Sequence, residues 1–137
     1  EYFSETLSPE FKPPNWLKKM NEAGTLGKKS EKGIFTWPGG ARPSIDMSKA
    51  DPNFDPMDII FIQVNEGTKL LESGVTKSVA EIDKAIVNGG GSIIGPFTLA
   101  KGMGWQKVAE RCEAISKKLG ITWFMPTETL KKGNIQM

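Results

Sequence analysis

Apolar residues return at helical spacing through most of this chain. Trp105, Val108, Ala109, Cys112, Ile115 and Leu119 fall at i, i+3, i+4, i+7, i+10 and i+14. That is one continuous stripe on a 3.6-residue period, and Gly120 stands where a helix C-cap is needed. A second stripe, Met57, Ile60, Phe61, Val64 and Leu71, follows Asp55-Pro56, an N-cap aspartate with a proline suited to the first turn. Gly74 ends it. Gly67 lies on the same face. A glycine inside a helix costs about 1 kcal/mol relative to alanine, so the pattern predicts close approach of another backbone there. Ser78-Val79-Ala80-Glu81 has the form of a capping box and opens a third helix, with Val79, Ile82 and Ile86 inward, running to Gly89.

Shorter helices fill the rest. Pro14 suits the first position of a helix reaching Ala23, with Trp16, Leu17 and Met20 along one edge. Pro96 opens a short helix to about Met103, and Pro126 another to Gly133. "GIFTW" and "ITWFM" read as short extended pieces. Residues 38–54 hold three prolines, two glycines and no period, which predicts a linker. The fold class predicted is all-α, with antiparallel helices joined by short turns. The domain reading is a helical tail over residues 1–37, the linker 38–54, and a second helical domain over 55–137.

Composition narrows the function. The 137 residues carry a net charge of +2, so binding of nucleic acid through bulk charge is not expected. The longest apolar run, Ile59–Ile62, falls far short of the ~20 residues a membrane span needs. There is no histidine and only one cysteine, Cys112. That excludes Ser-His-Asp and Cys-His devices and any His- or Cys-rich metal site. A single cysteine fits a reducing cytoplasm, and an opening Glu-Tyr-Phe hints at a piece of something longer. Cys112 lies on an apolar stripe and reads as a small buried hydrophobe. Glu81 and Asp83, two apart on a helix, do not face each other and form no acid/base pair.

Two stretches imitate phosphate loops. "NGGGSIIGPF", Asn88–Phe97, has one residue too many after its second glycine for a dinucleotide fingerprint, and it follows a capped helix rather than a strand. It reads as a helix stop and corner with positive-φ glycines, a backbone-lined ligand contact being the other reading. "GTLGKKS" has two residues, not four, between Gly24 and Gly27, and an extra lysine before Ser30, so it fails as a Walker loop. It reads as a solvated basic turn. Even so, Lys18, Lys19, Lys28, Lys29 and Lys32 outnumber Glu22 and Glu31 by three, and Lys28, Lys29 and Lys32 are candidates to meet an anionic group.

The chain also repeats itself. Phe11-Lys-Pro13-Pro-Asn-Trp-Leu17-Lys18-Lys19 and Phe124-Met-Pro126-Thr-Glu-Thr-Leu130-Lys131-Lys132 share F-x-P-x-x-x-L-K-K at an offset of 113 residues. A glycine follows each, Gly24 and Gly133. Residues 1–37 therefore read as the tail of one repeat and 55–137 as nearly all of a second.

"VNEGTKLLESGV", "SVAEIDKAIVNGGG" and "GPFTLAKGMGW", in that order, resemble the C-terminal helical domain of the 3-hydroxyacyl-CoA dehydrogenases, with its Asn-Glu-Ala helix, Ile-Asp-x-Ala helix and Gly-Pro-Phe. "LKKMNEAGTLGKKSEKGIFTW" is similar to that domain's closing run. The resemblance covers nearly all of the chain apart from the linker. It implies the junction of two tandem helical domains. The family's NAD-binding domain, with its catalytic histidine and partner glutamate, lies upstream of the stretch matched. Two positions depart from the pattern. The family's substrate-facing Asn-Arg pair aligns with Met57-Asp58, and an acidic residue shortly after Gly-Pro-Phe is replaced by Lys101.

The resemblance thus implies a non-catalytic helical segment of an enzyme that oxidises 3-hydroxyacyl-CoA to 3-ketoacyl-CoA with NAD. No catalytic, cofactor or metal residue is expected here, and NAD belongs to the parent's other domain. The partners implied are the parent's acyl-CoA, its NAD-binding and first helical domains, and a second subunit. Phe61, Gly67, Phe97 and Trp105 are the candidate packing or dimer-interface residues. The competing readings are a free-standing helical interaction module and a coenzyme A-binding module using the lysines around Lys28.

Overall fold

A computed structural model describes residues 2–137. They divide into two compact units, one ending at Asp51 and the other spanning Pro52–Met137. The fold is all-α, with no strand among the described residues.

The first unit holds α1 (Tyr2–Thr6) and α2 (Asn15–Glu22) with 3-10 turns at Pro9–Phe11, Lys28–Ser30, Pro38–Gly40 and Met47–Lys49. Pro14 is the cap of α2 and not its first residue: its ψ of 150° is extended, while its carbonyl accepts from Leu17 N. "GIFTW" does not run extended. Isolated bridges join Lys32 to Gly27 and to Thr36, and Gly33 packs so tightly on Gly27 that a Cβ on Gly33 would stand 2.6 Å from Gly27 Cα. Without a neighbouring strand to pair with, the β-branched and aromatic run folds back on itself.

The second unit is built around α3 (Met57–Glu72), which packs against α4 (Val79–Gly90), α5 (Pro96–Ala100), α6 (Trp105–Leu119) and α7 (Glu128–Lys132). Phe61, Val64, Val79, Ile82, Phe97, Ala100, Val108, Ala109, Cys112 and Leu130 form its core. The starts are set as the sequence indicates. Asp55 Oδ1 accepts from Met57 N at 2.9 Å, and Pro56 already holds helical angles. Ser78 Oγ accepts from Glu81 N. The Glu81 carboxylate reaches back to Thr76 Oγ1 at 2.6 Å and Lys77 N at 3.2 Å, with the Ser78 backbone N–H contributing less. Those donors, the Thr76 hydroxyl first, hold its carboxyl below the usual range.

Four details differ from the sequence reading. The close approach to Gly67 comes from a ring and not a backbone: a Cβ there would stand 2.6 Å from Phe97 Cε2. Leu119 is exposed, because the chain turns back under α6 through Ser116, whose backbone and hydroxyl both bond Ile121. "ITWFM" forms a 3-10 turn, Thr122–Phe124. Pro126 precedes α7 by two residues, and Thr127 is the cap, its Oγ1 accepting from Leu130 N.

Candidate functional site

The glycine run resolves into parts with separate duties. Gly89 and Gly90 complete α4, and Gly91 alone of the three takes a positive φ, +69°, as its C-cap. The chain then reaches Gly95-Pro96-Phe97 and starts α5. A phosphate at this corner would bind the free N–H groups of the helix start. They are already taken. Asp83, buried on α4, accepts from Phe97 N at 2.9 Å, Thr98 N at 2.8 Å and Thr98 Oγ1 at 2.6 Å. Its side chain fills the space that a Cβ on Gly95 would need. The carboxylate is this corner's anion, so these residues do not fit a dinucleotide.

A second lock joins α3 to the end of the chain. Asn65, wholly buried, donates from Nδ2 to Phe124 O (3.3 Å) and Met125 O (3.0 Å) and accepts at Oδ1 from Thr127 N (3.0 Å). Thr68 Oγ1 lies 2.7 Å from Thr127 Oγ1. One helical turn thus holds Phe124 and Met125 by their carbonyls and Thr127 by its N–H and hydroxyl. Beside it Glu66 accepts from Lys69 Nζ and Trp123 Nε1, and Lys69 Nζ also donates to Trp123 O and stands 4.1 Å over the Trp123 ring. Asp58 receives a two-pronged bond from Arg111 of α6, at 2.6 and 2.9 Å, which raises the guanidinium pKa further. Asp58 therefore ties α3 to α6.

The structure brings together three of the four candidate packing residues with a near fourth. Phe61 and Phe97 are core residues and Gly67 receives the Phe97 ring. Trp105, partly buried, sits with its ring 6.1 Å from that of Phe97, tilted by 60°. Lys28, Lys29 and Lys32 are exposed on a loop that satisfies itself: Gly27 N donates to Lys32 O, and Ser30 Oγ accepts from Leu26 N while reaching Lys32 O. Cys112 donates to Phe61 O at 3.3 Å, and burial pushes its thiol up to about 12. A thiol so held is no nucleophile near neutral pH.

Asn65 and Asp83 carry the architecture, and apolar periodicity does not find them, because each is a polar residue on an inward face. Two signals pointed to them: their place in the stretches that carry the family resemblance, and a polar residue on an inward face, where a buried polar group must have a partner. Among the described residues every buried side-chain nitrogen or oxygen has one. None of the described His, Cys, Asp or Glu side chains groups in threes suited to a metal, and no described helix is long and apolar enough to cross a membrane.

No family model matches the chain. It is similar to the fatty acid oxidation complex subunit alpha of two strains of Vibrio cholerae serotype O1, at 25% identity over 128 residues in each case. Each alignment covers 83% of this chain and 18% of the relative, so the chain spans under a fifth of those proteins' length.

Proposed function

We propose that this chain is a non-catalytic helical segment of a 3-hydroxyacyl-CoA dehydrogenase, the end of one helical domain followed by a second. The parent oxidises a 3-hydroxyacyl-CoA to the 3-ketoacyl-CoA. NAD takes the hydride in a separate domain, which also supplies the general base. The segment packs against the NAD-binding and first helical domains or a second subunit and walls the acyl-CoA cleft, in the cytoplasm. The similarity to a fatty acid oxidation subunit supports this parentage.

One observation carries the division of labour. The residues that bear the family resemblance are the residues that fasten helices to one another. Asn65 and Glu66 hold the Trp123–Thr127 turn, Asp83 holds α5, and Phe97 fills the gap left by Gly67. Asn65 and Asp83 are buried and spend their polar groups on the chain's own backbone, so neither faces outward to a substrate.

Purified residues 1–137 should show no acetoacetyl-CoA-dependent oxidation of NADH above the blank, and clear turnover would overturn the reading. Parentage is tested separately by the coding sequence upstream: a strand leading into G-x-G-x-x-G, with a later histidine, is expected, and a start codon a short way upstream of Glu1 would remove the parent.

A further inference from the structure

Exposure runs through the whole of the first unit, where none of the described residues is buried. The repeat gives the contrast: Leu130 lies in the second unit's core, whereas its counterpart Leu17 is 44% exposed. Leu17, Met20, Leu26, Ile34, Phe35 and Trp37 line an open trough of about 790 Å³. Trp16 stands exposed beside Leu17 on α2. An apolar surface of this kind marks a contact site.

Positive charge gathers at the same place. Residues 12–32 hold six lysines against two glutamates, while the 137 residues together carry only +2, so the rest of the chain is net acidic. Lys12, Lys19, Lys28, Lys29 and Lys32 are exposed. The last three stand on the loop between Gly27 and Gly33, and both glycines line the trough. That loop is held in shape: Lys32 bridges to Gly27 and to Thr36, and the Ser30 hydroxyl joins Leu26 N to Lys32 O. Glu22 also lines the trough and Glu31 shares the loop, which leaves the lysines in clear excess.

We propose that this face of the first unit rests on an anionic lipid bilayer, with Trp16, Leu17, Leu26 and Phe35 entering the boundary between headgroups and acyl chains and Lys19, Lys28, Lys29 and Lys32 meeting lipid phosphates. A bilayer is the partner whose chemistry has both parts, an apolar bed and a layer of negative charge above it. A nucleic acid offers the phosphates without the apolar bed. Exposed tryptophan beside lysine is the composition of a surface that lies in the membrane interface, and α2, with eight residues, lies along a bilayer and does not span it. The inference goes beyond the proposed function and does not rest on it: it concerns a surface, and it holds whatever reaction the parent catalyses.

The test is co-sedimentation of the 137-residue chain with vesicles of phosphatidylcholine and phosphatidylglycerol in equal parts, beside vesicles of phosphatidylcholine alone. The chain should bind the mixed vesicles, bind the neutral ones far less, and release as salt is raised. Trp16→Ser, and separately Lys28→Gln combined with Lys29→Gln, should each weaken binding roughly tenfold or more. Brominated lipid should quench the tryptophan emission of the parent chain more than that of Trp16→Ser. Should Trp16→Ser lose helix content by circular dichroism, the lysine variant, altered only on an exposed loop, decides alone. No binding to mixed vesicles, equal binding to neutral ones, or binding that survives the lysine changes would overturn the proposal. So would a dimer of the chain that Leu17→Ser converts to monomer while vesicles capture neither form.

Discussion

The Asp83 side chain occupies the space in which Gly95 would carry a Cβ, and from there it caps α5 through Phe97 N and Thr98 N. Neither residue can change without the other. Asp83→Ala strands a buried N–H and removes a helix cap, so it should cost about 1–3 kcal/mol in urea unfolding. Gly95→Ala must push the carboxylate off its donors and should cost at least as much. In the double variant the new methyl has room, so adding Gly95→Ala to Asp83→Ala should change stability by no more than roughly 0.5 kcal/mol. Additive losses would disprove the lock.

Gly67 and Phe97 make a second fitted pair. Alanine at position 67 gains up to about 1 kcal/mol of helix propensity, but its methyl meets a buried ring 2.6 Å away, and such overpacking costs typically 1–3 kcal/mol. The packing term wins, so Gly67→Ala should lower the thermal midpoint. Phe97→Leu in that background should recover part of the loss, more than it gives in the parent chain.

Asn65 is matched to its turn in both directions, donating twice and accepting once. Asn65→Leu leaves two carbonyls and one N–H without partners and should cost roughly 2–5 kcal/mol. Asn65→Asp keeps the acceptor for Thr127 N yet faces Phe124 O and Met125 O with an anion. It should also be strongly destabilising, although it is nearly isosteric. Hydrogen exchange at Thr127 N gives a local readout, with faster exchange expected in both variants.

Cys112 supplies the pH dependence. Its folded-state pKa is raised from 9.0 to about 12 by burial first, then by Asp58 and Glu66. A raised pKa means that the fold favours the protonated thiol. The stability linked to it is complete below about pH 9 and is lost as pH climbs toward 12. The parent chain should therefore weaken across that window relative to Cys112→Ala measured at the same pH values. At pH 8 iodoacetamide should label the folded chain far more slowly than the urea-unfolded one, and equal rates would contradict the burial.

The comparison of sequence with structure follows a physical division. What the chain determined by itself is what depends on neighbours in sequence. The Asp55 and Ser78 caps, the glycine stops at Gly74, Gly120 and Gly133, and the apolar stripes of α3 and α6 are all local. They were legible because helix ends and faces are set within a few residues. The repeat was legible too, although the 3-10 turns that end at Phe11 and Phe124 were not.

Only the tertiary structure decided what lies across from what. That a ring rather than a backbone fills the notch at Gly67, that Asp83 reaches fourteen residues along to α5, and that Asn65 grips a turn about sixty residues away are facts about packing partners. Periodicity carries no information on them. The same holds for Leu17 and Leu130, which have identical flanking motifs. One is sealed and the other open, because burial depends on which helices stand opposite and not on the residue itself.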